Sequence, residues 1–109
     1  MGKEKLTIDE NVVAFVRELK ANFRIEKILF FGSRATGEAL KDSDYDFVIV
    51  SPDFKNIFFT ERTKMLYRYW NLPQALEALC YTPEEFTEKA SQITIVREAV
   101  RKGIDVTAA

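Results

Sequence analysis

The chain has 109 residues, one domain's length (1–109), and its 47% hydrophobic and 30% charged content is that of a folded globular protein rather than a disordered one. Sixteen Lys and Arg against seventeen Asp and Glu leave a net charge of −1, which argues against nucleic acid held through its phosphates. The absence of His removes His-based zinc sites and Ser-His-Asp triads, and the single Cys80 forms no internal disulfide and fits a reducing cytoplasm.

In chain order, Thr7 and Glu10 have the spacing of a capping box. Val12, Val13, Val16, Leu19 and Phe23 follow at helical spacing, which predicts an amphipathic helix over 9–22. Ile25 to Phe31 reads as a short buried strand stopped by Gly32-Ser33. Gly32 to Ser43 is a polar connection, with a helical turn at Ala35 to Ala39. Asp46 to Val50 is a second strand, ended by Ser51-Pro52. Residues 53–60 are irregular and aromatic, and Thr60 to Asn71 reads as a helix with Met65, Leu66, Tyr69 and Trp70 on one side. Gln74 to Tyr81 is two-sided. Ala-Leu-Glu-Ala-Leu favours helix by propensity, whereas Pro73 and Thr82-Pro83 leave only a strand's length between them. Thr82-Pro83-Glu84-Glu85 starts a helix that runs, with a break near Ser91, to Lys102. Gly103 caps it, and Ile104 to Val106 forms a last short strand. The order gives a small α/β (α+β) domain, a sheet covered by helices. The N-terminus carries no signal peptide, and no apolar run is long enough to cross a bilayer, so no membrane contact is expected.

Residues 29–50 carry the chemistry. An apolar strand runs into Gly32-Ser33, ten residues intervene, and Asp44-Tyr45-Asp46 opens the next strand. Gly32 lets backbone approach a ligand, free backbone N–H groups and the Ser33 hydroxyl can cradle a phosphate, and Arg34 adds positive charge beside it. In an extended chain Asp44 and Asp46 point to one face. Two such carboxylates repel each other, and a hard divalent cation, Mg²⁺ or Mn²⁺, offsets that repulsion. Either piece alone is common loop punctuation; the combination is not.

This pattern resembles the minimal nucleotidyltransferases of the polymerase-beta superfamily, whose signature is Gly-Ser, ten residues, Asp-x-Asp. The resemblance extends over most of the chain, to the strand ending near Cys80 and Tyr81-Thr82-Pro83-Glu84-Glu85-Phe86. It implies a polymerase-beta-like fold and transfer of a nucleoside monophosphate, AMP from ATP, to a hydroxyl, with release of pyrophosphate. Gly32 and Ser33 would hold the triphosphate, and Asp44 and Asp46 would hold Mg²⁺. The family's third carboxylate is usually an Asp in the next core strand. Glu77 stands in the matching place, as a catalytic and metal-binding carboxylate or as an ordinary charge at a strand edge. Thr36 stands where relatives often carry Arg. Small stand-alone members are encoded beside a helical HEPN-family toxin, so the resemblance implies an antitoxin that transfers AMP to a tyrosine of its partner. The alternatives are an antitoxin that masks its partner without transfer, and a small-molecule transferase similar to the aminoglycoside-modifying enzymes.

Other residues read more plainly. Arg34 has a phosphate or Glu38 as its partner. Lys27, Lys41, Arg62 and Arg68 read as surface charges, Asp53 as a turn residue and Cys80 as a small buried apolar group. The aromatic run Phe54, Ile57, Phe58, Phe59, Tyr67, Tyr69 and Trp70, like the Ile93, Ile95, Val96, Ala99 and Val100 set, covers more than one helical stripe. Exposed members of these sets suggest a partner, as a homodimer or a hetero-oligomer.

Overall fold

The computed structural model describes residues 10–37, 43–92 and 94–109. The expected cap at Thr7, the Glu38 partner for Arg34, the end of the turn at Ala39, Lys41 and Ile93 lie outside them. The elements are α1 (Glu10–Asn22), β1 (Lys27–Phe31), α2 (Ser33–Thr36), β2 (Tyr45–Val50), a 3-10 turn at Pro52–Phe54, α3 (Phe59–Tyr67), β3 (Leu76–Tyr81), α4 (Pro83–Gln92), α5 (Thr94–Lys102) and β4 (Ile104–Asp105). The four strands form one mixed sheet in the order β3-β2-β1-β4. β1 is antiparallel to β2 and β4, and β2 is parallel to β3.

Alternation along the strands sorts the side chains into two layers. Ile28, Phe30, Tyr45, Phe47, Ile49, Leu76, Ala78 and Cys80 join Val12, Phe15, Val16 and Leu19 of α1, together with Phe54, Leu66 and Trp70. On the other face Leu29, Val48, Val50 and Tyr81 pack with Val96 and Ala99 of α5, flanked by Phe86 and Ala90. The α1 residues recur at one helical stripe, which is why that segment forms a helix lying flat on the sheet.

The two-sided segment is a strand. Helix propensity in Ala75 to Leu79 is worth a few tenths of a kcal/mol per residue. Pairing of Leu76 to Tyr81 with β2 outweighs it, because it buries Leu76, Ala78 and Cys80 in the larger core. β3 is an edge strand, and α3 covers its open side. The Tyr67 hydroxyl donates to Leu76 O at 2.8 Å and accepts from Leu76 N at 3.2 Å. Thr63 Oγ1 donates to Ala78 O at 3.2 Å, and Arg62 Nη1 donates to Cys80 O at 3.0 Å. Alternate carbonyls of the edge are thus satisfied by side chains, which blocks pairing with another chain there.

Two sequence readings change, and a third, Asp53, holds. α3 stops at Tyr67, not Asn71, because Tyr69 N and Trp70 N turn back to Leu66 O and Tyr67 O. Trp70 reaches the core through that turn and donates its indole N–H to Gln74 O at 2.7 Å. Arg62 is not a surface charge. It is 5% exposed and donates to Glu85 through both terminal nitrogens, at 2.6 and 3.2 Å. Asp53 is a turn residue whose carboxylate is held below its usual range by the Arg24 backbone N–H and guanidinium.

Thr82 and Glu85 form the reciprocal capping box at α4, with Glu85 N on Thr82 Oγ1 and Thr82 N on Glu85 Oε1. α4 is described to Gln92 and α5 from Thr94; the residue between them, beside the break expected near Ser91, lies outside the described residues. No described helix is long and apolar enough to cross a membrane.

Candidate active site

The site is built where three strand ends meet. In register, Phe31 lies opposite Asp46, and Asp46 lies opposite Glu77. All three are on the α5 side of the sheet, one row beyond Leu29, Val48 and Leu79. In this terminal row Phe31 packs against the α5-side cluster, whereas Asp46 is half-buried and Glu77 is exposed. Asp44 precedes β2 and is exposed. Burial, then the charge of Asp44, then that of Glu77 push the Asp46 carboxyl up from 3.8 to about 6. Asp44 and Glu77 are therefore each within electrostatic reach of Asp46. Among the described residues, no three acidic or thiol side chains are yet drawn together at metal-ligand geometry.

Gly32 follows β1 with φ of +82°. A Cβ there would collide with Asp46 Oδ2. Glycine is needed for the turn and for the close approach of the backbone to the carboxylate. Ser33 begins α2 and is exposed beside it, while Ala35 N and Thr36 N both turn back to Gly32 O.

Arg34 is held by partners within the chain. Its Nε donates to Ser43 O at 2.7 Å and its Nη1 to the Tyr45 hydroxyl at 3.3 Å. Its guanidinium lies 4.3 Å from the centre of the Tyr45 ring. Tyr45 belongs to the α1 side of the sheet, so Arg34 is anchored on the face opposite Asp46.

A cavity of about 310 Å³ opens beside the Gly32-Ser33 turn, lined by Phe31, Gly32, Ser33, Thr36, Glu98 and Lys102. Glu98 and Lys102 were not singled out from the sequence. They lie on α5, more than sixty residues from Ser33, and Arg101-Lys102-Gly103 reads there as an ordinary helix end. A second, larger groove of about 680 Å³ lies at the far end of β3, with Phe58, Phe59, Leu79, Tyr81 and Ile95 among its lining residues. Phe58 is 83% exposed and Ile95 52%.

The donor set suits a hard cation. Carboxylate oxygens dominate, no His is present, and the one thiol, Cys80, is buried in the opposite layer with its pKa pushed up to about 12 by burial. Burial raises the Asp46 pKa most; the smaller part that comes from Asp44 and Glu77 is what a divalent ion relieves.

Residues 12–102 match the family described as a nucleotidyltransferase domain. Among solved structures, a candidate nucleotidyltransferase from Sulfolobus solfataricus is similar, with 26% identity and a TM-score of 0.53. The match covers 81% of this chain and 84% of that one. No curated protein shows a significant match to the chain.

Proposed function

The chain belongs to the nucleotidyltransferase domain family, and we propose that it moves AMP from ATP, with Mg²⁺, onto a hydroxyl acceptor. The observation that carries this reading is the packing of the Asp46 carboxylate against Gly32 in a row with Glu77, beside Asp44 and Ser33. Asp44, Asp46 and Glu77 would hold Mg²⁺, which when bound neutralises phosphate charge and polarises the phosphorus.

The residues of the chain do the rest. Gly32 leaves backbone open to the triphosphate, and Ser33 offers it a hydroxyl. The acceptor oxygen attacks the α-phosphorus, the bond to the bridging α–β oxygen breaks, and pyrophosphate leaves. Glu77, directly across from Asp46, takes the acceptor's proton. Small stand-alone members of this family point to a tyrosine of a HEPN-family toxin as acceptor, which makes the chain an antitoxin of the cytoplasm, where Cys80 stays reduced. The exposed apolar groove around Phe58 is where we place the partner.

The test is transfer of label from α-phosphate-labelled ATP with Mg²⁺ into a host lysate, for wild type beside Asp44→Asn. One labelled protein band that disappears with the variant supports protein AMP transfer. Label in small molecules instead supports the antibiotic-modifying alternative. Mg-ATP binding without any Asp44-dependent label overturns transfer and leaves an antitoxin that masks its partner. Two observations favour that second reading: Glu77 is one methylene longer than the Asp usual in the family, and the carboxylates are not drawn together in advance.

A further inference from the structure

The cavity beside the Gly32-Ser33 turn has two walls. Ser33 and Thr36 form one, and Glu98 and Lys102 of α5 form the other. Among its described lining residues, Lys102 is the one cation. Lys102 Nζ sits 3.4 Å from Glu98 Oε1, and Arg101 Nη1 sits 2.9 Å from Glu98 Oε2. Both Lys102 and Arg101 side chains are well exposed, so these pairs are weak and yield to a more highly charged anion.

Among the described residues, the Ser33 and Thr36 wall of the cavity carries no charged side chain. Arg34 is held by Ser43 O and lies over Tyr45, on the other face of the sheet. At about 310 Å³ the cavity is at the small end for ligand sites, room for phosphate groups rather than a whole nucleotide. A compact ammonium on a flexible stem suits such groups.

We infer that Lys102 binds the terminal phosphates of the nucleotide across the cavity from Ser33, and that Glu98 competes with those phosphates for it. Base and ribose then lie outside the cavity. The inference rests on the nucleotidyltransferase reading and adds a binding residue to it.

Calorimetric titration of the full chain tests this, with Mg-ATP, Mg-tripolyphosphate and AMP as probes. Lys102→Ala should weaken Mg-ATP and Mg-tripolyphosphate by about tenfold, the scale of one charge-assisted contact, and change AMP by less than about twofold. Lys102→Arg should recover most of the loss. Glu98→Gln should tighten tripolyphosphate by about threefold, because a competing negative charge leaves the cavity. Lys102 is exposed, so the melting temperature of Lys102→Ala should match wild type. Tripolyphosphate affinity unchanged in both Lys102→Ala and Glu98→Gln, with Mg-ATP still bound, overturns this inference alone. Equal losses for AMP and tripolyphosphate overturn it too. Wild type binding none of the three probes overturns the nucleotidyltransferase reading and this inference with it.

Discussion

Removing one charge from the carboxylate row should stabilise the metal-free protein while disabling it. Asp46 has its carboxyl pushed up to about 6 by burial, Asp44 and Glu77, in that order. The native carboxyl thus binds its proton more tightly than the unfolded chain does. Its contribution to stability falls as pH rises from about 4 to about 6 and stays low above that. At pH 7 about nine-tenths of Asp46 is ionised, and at pH 5 about one-tenth. A cation that needs the ionised form should therefore bind about tenfold more weakly at pH 5 than at pH 7.

Asp44→Asn deletes one of the two charges that oppose ionisation. Asp46 is half-buried, so the relief is discounted for solvent to about 0.5–1 kcal/mol. In a domain of this size that is a rise of a few degrees, at about 4–8 °C per kcal/mol. The assay is a thermal melt at pH 5, 6 and 7, with and without Mg²⁺. Wild type should gain stability from Mg²⁺ at pH 7 and little at pH 5. Asp44→Asn should melt higher than wild type without metal at pH 7 and gain little from Mg²⁺. A metal-free Asp44→Asn that melts below wild type, or an Mg²⁺ gain that ignores pH, would refute the charge-crowding argument.

Four further outcomes are expected. Gly32→Ala, at φ +82° and against Asp46 Oδ2, should cost about 1–3 kcal/mol and remove the Mg²⁺ stabilisation, as read by melts with and without metal. Arg62→Ala should cost about 2–3 kcal/mol in urea unfolding, and Lys at that position should not restore it, because the fork to Glu85 and the bond to Cys80 O need a guanidinium. Cys80, its thiol pushed up to about 12, should resist iodoacetamide at pH 8 in the native protein and react on unfolding. Tyr67→Phe strips two hydrogen bonds from Leu76, so it should cost about 1–2 kcal/mol and speed amide exchange at the start of β3.

What the sequence made legible follows from how local each signal is. The α1 stripe, the Thr82-Glu85 box and the Gly32 to Asp46 motif are each written within a few residues or a fixed gap. The structure brings those pieces together as their spacing implies. β3 was two-sided because its local propensity and its tertiary pairing disagree, and only the partner strand decides. Trp70 has helical spacing with Leu66, yet it enters the core from a turn that no periodicity marks. Arg62 looks like any helix-face cation until Glu85 and Cys80 O, distant in sequence, close around it. Arg34, next to Ser33 in the chain, is held by Ser43 O and the Tyr45 hydroxyl. Proximity to Ser33 in the chain says little about which face of the sheet a long side chain takes.

The position of the site follows from the sheet itself. Both faces carry apolar rows, and both must be covered. α1 and the segment from α3 to Trp70 cover one face, and α4 and α5 cover the other from Leu29, Val48 and Val50 outward. One step further along the same alternation stand Asp46, half-buried, and Glu77, exposed among the described residues. A one-residue slip of β3 against β2 would turn Glu77 into the Phe47 layer and bring Leu76 or Ala78 to the rim. The register is held by the buried row and, at the N-terminal end of β3, by the two bonds of Tyr67 to Leu76. The core thus fixes Asp46 and Glu77 side by side at the rim of the sheet.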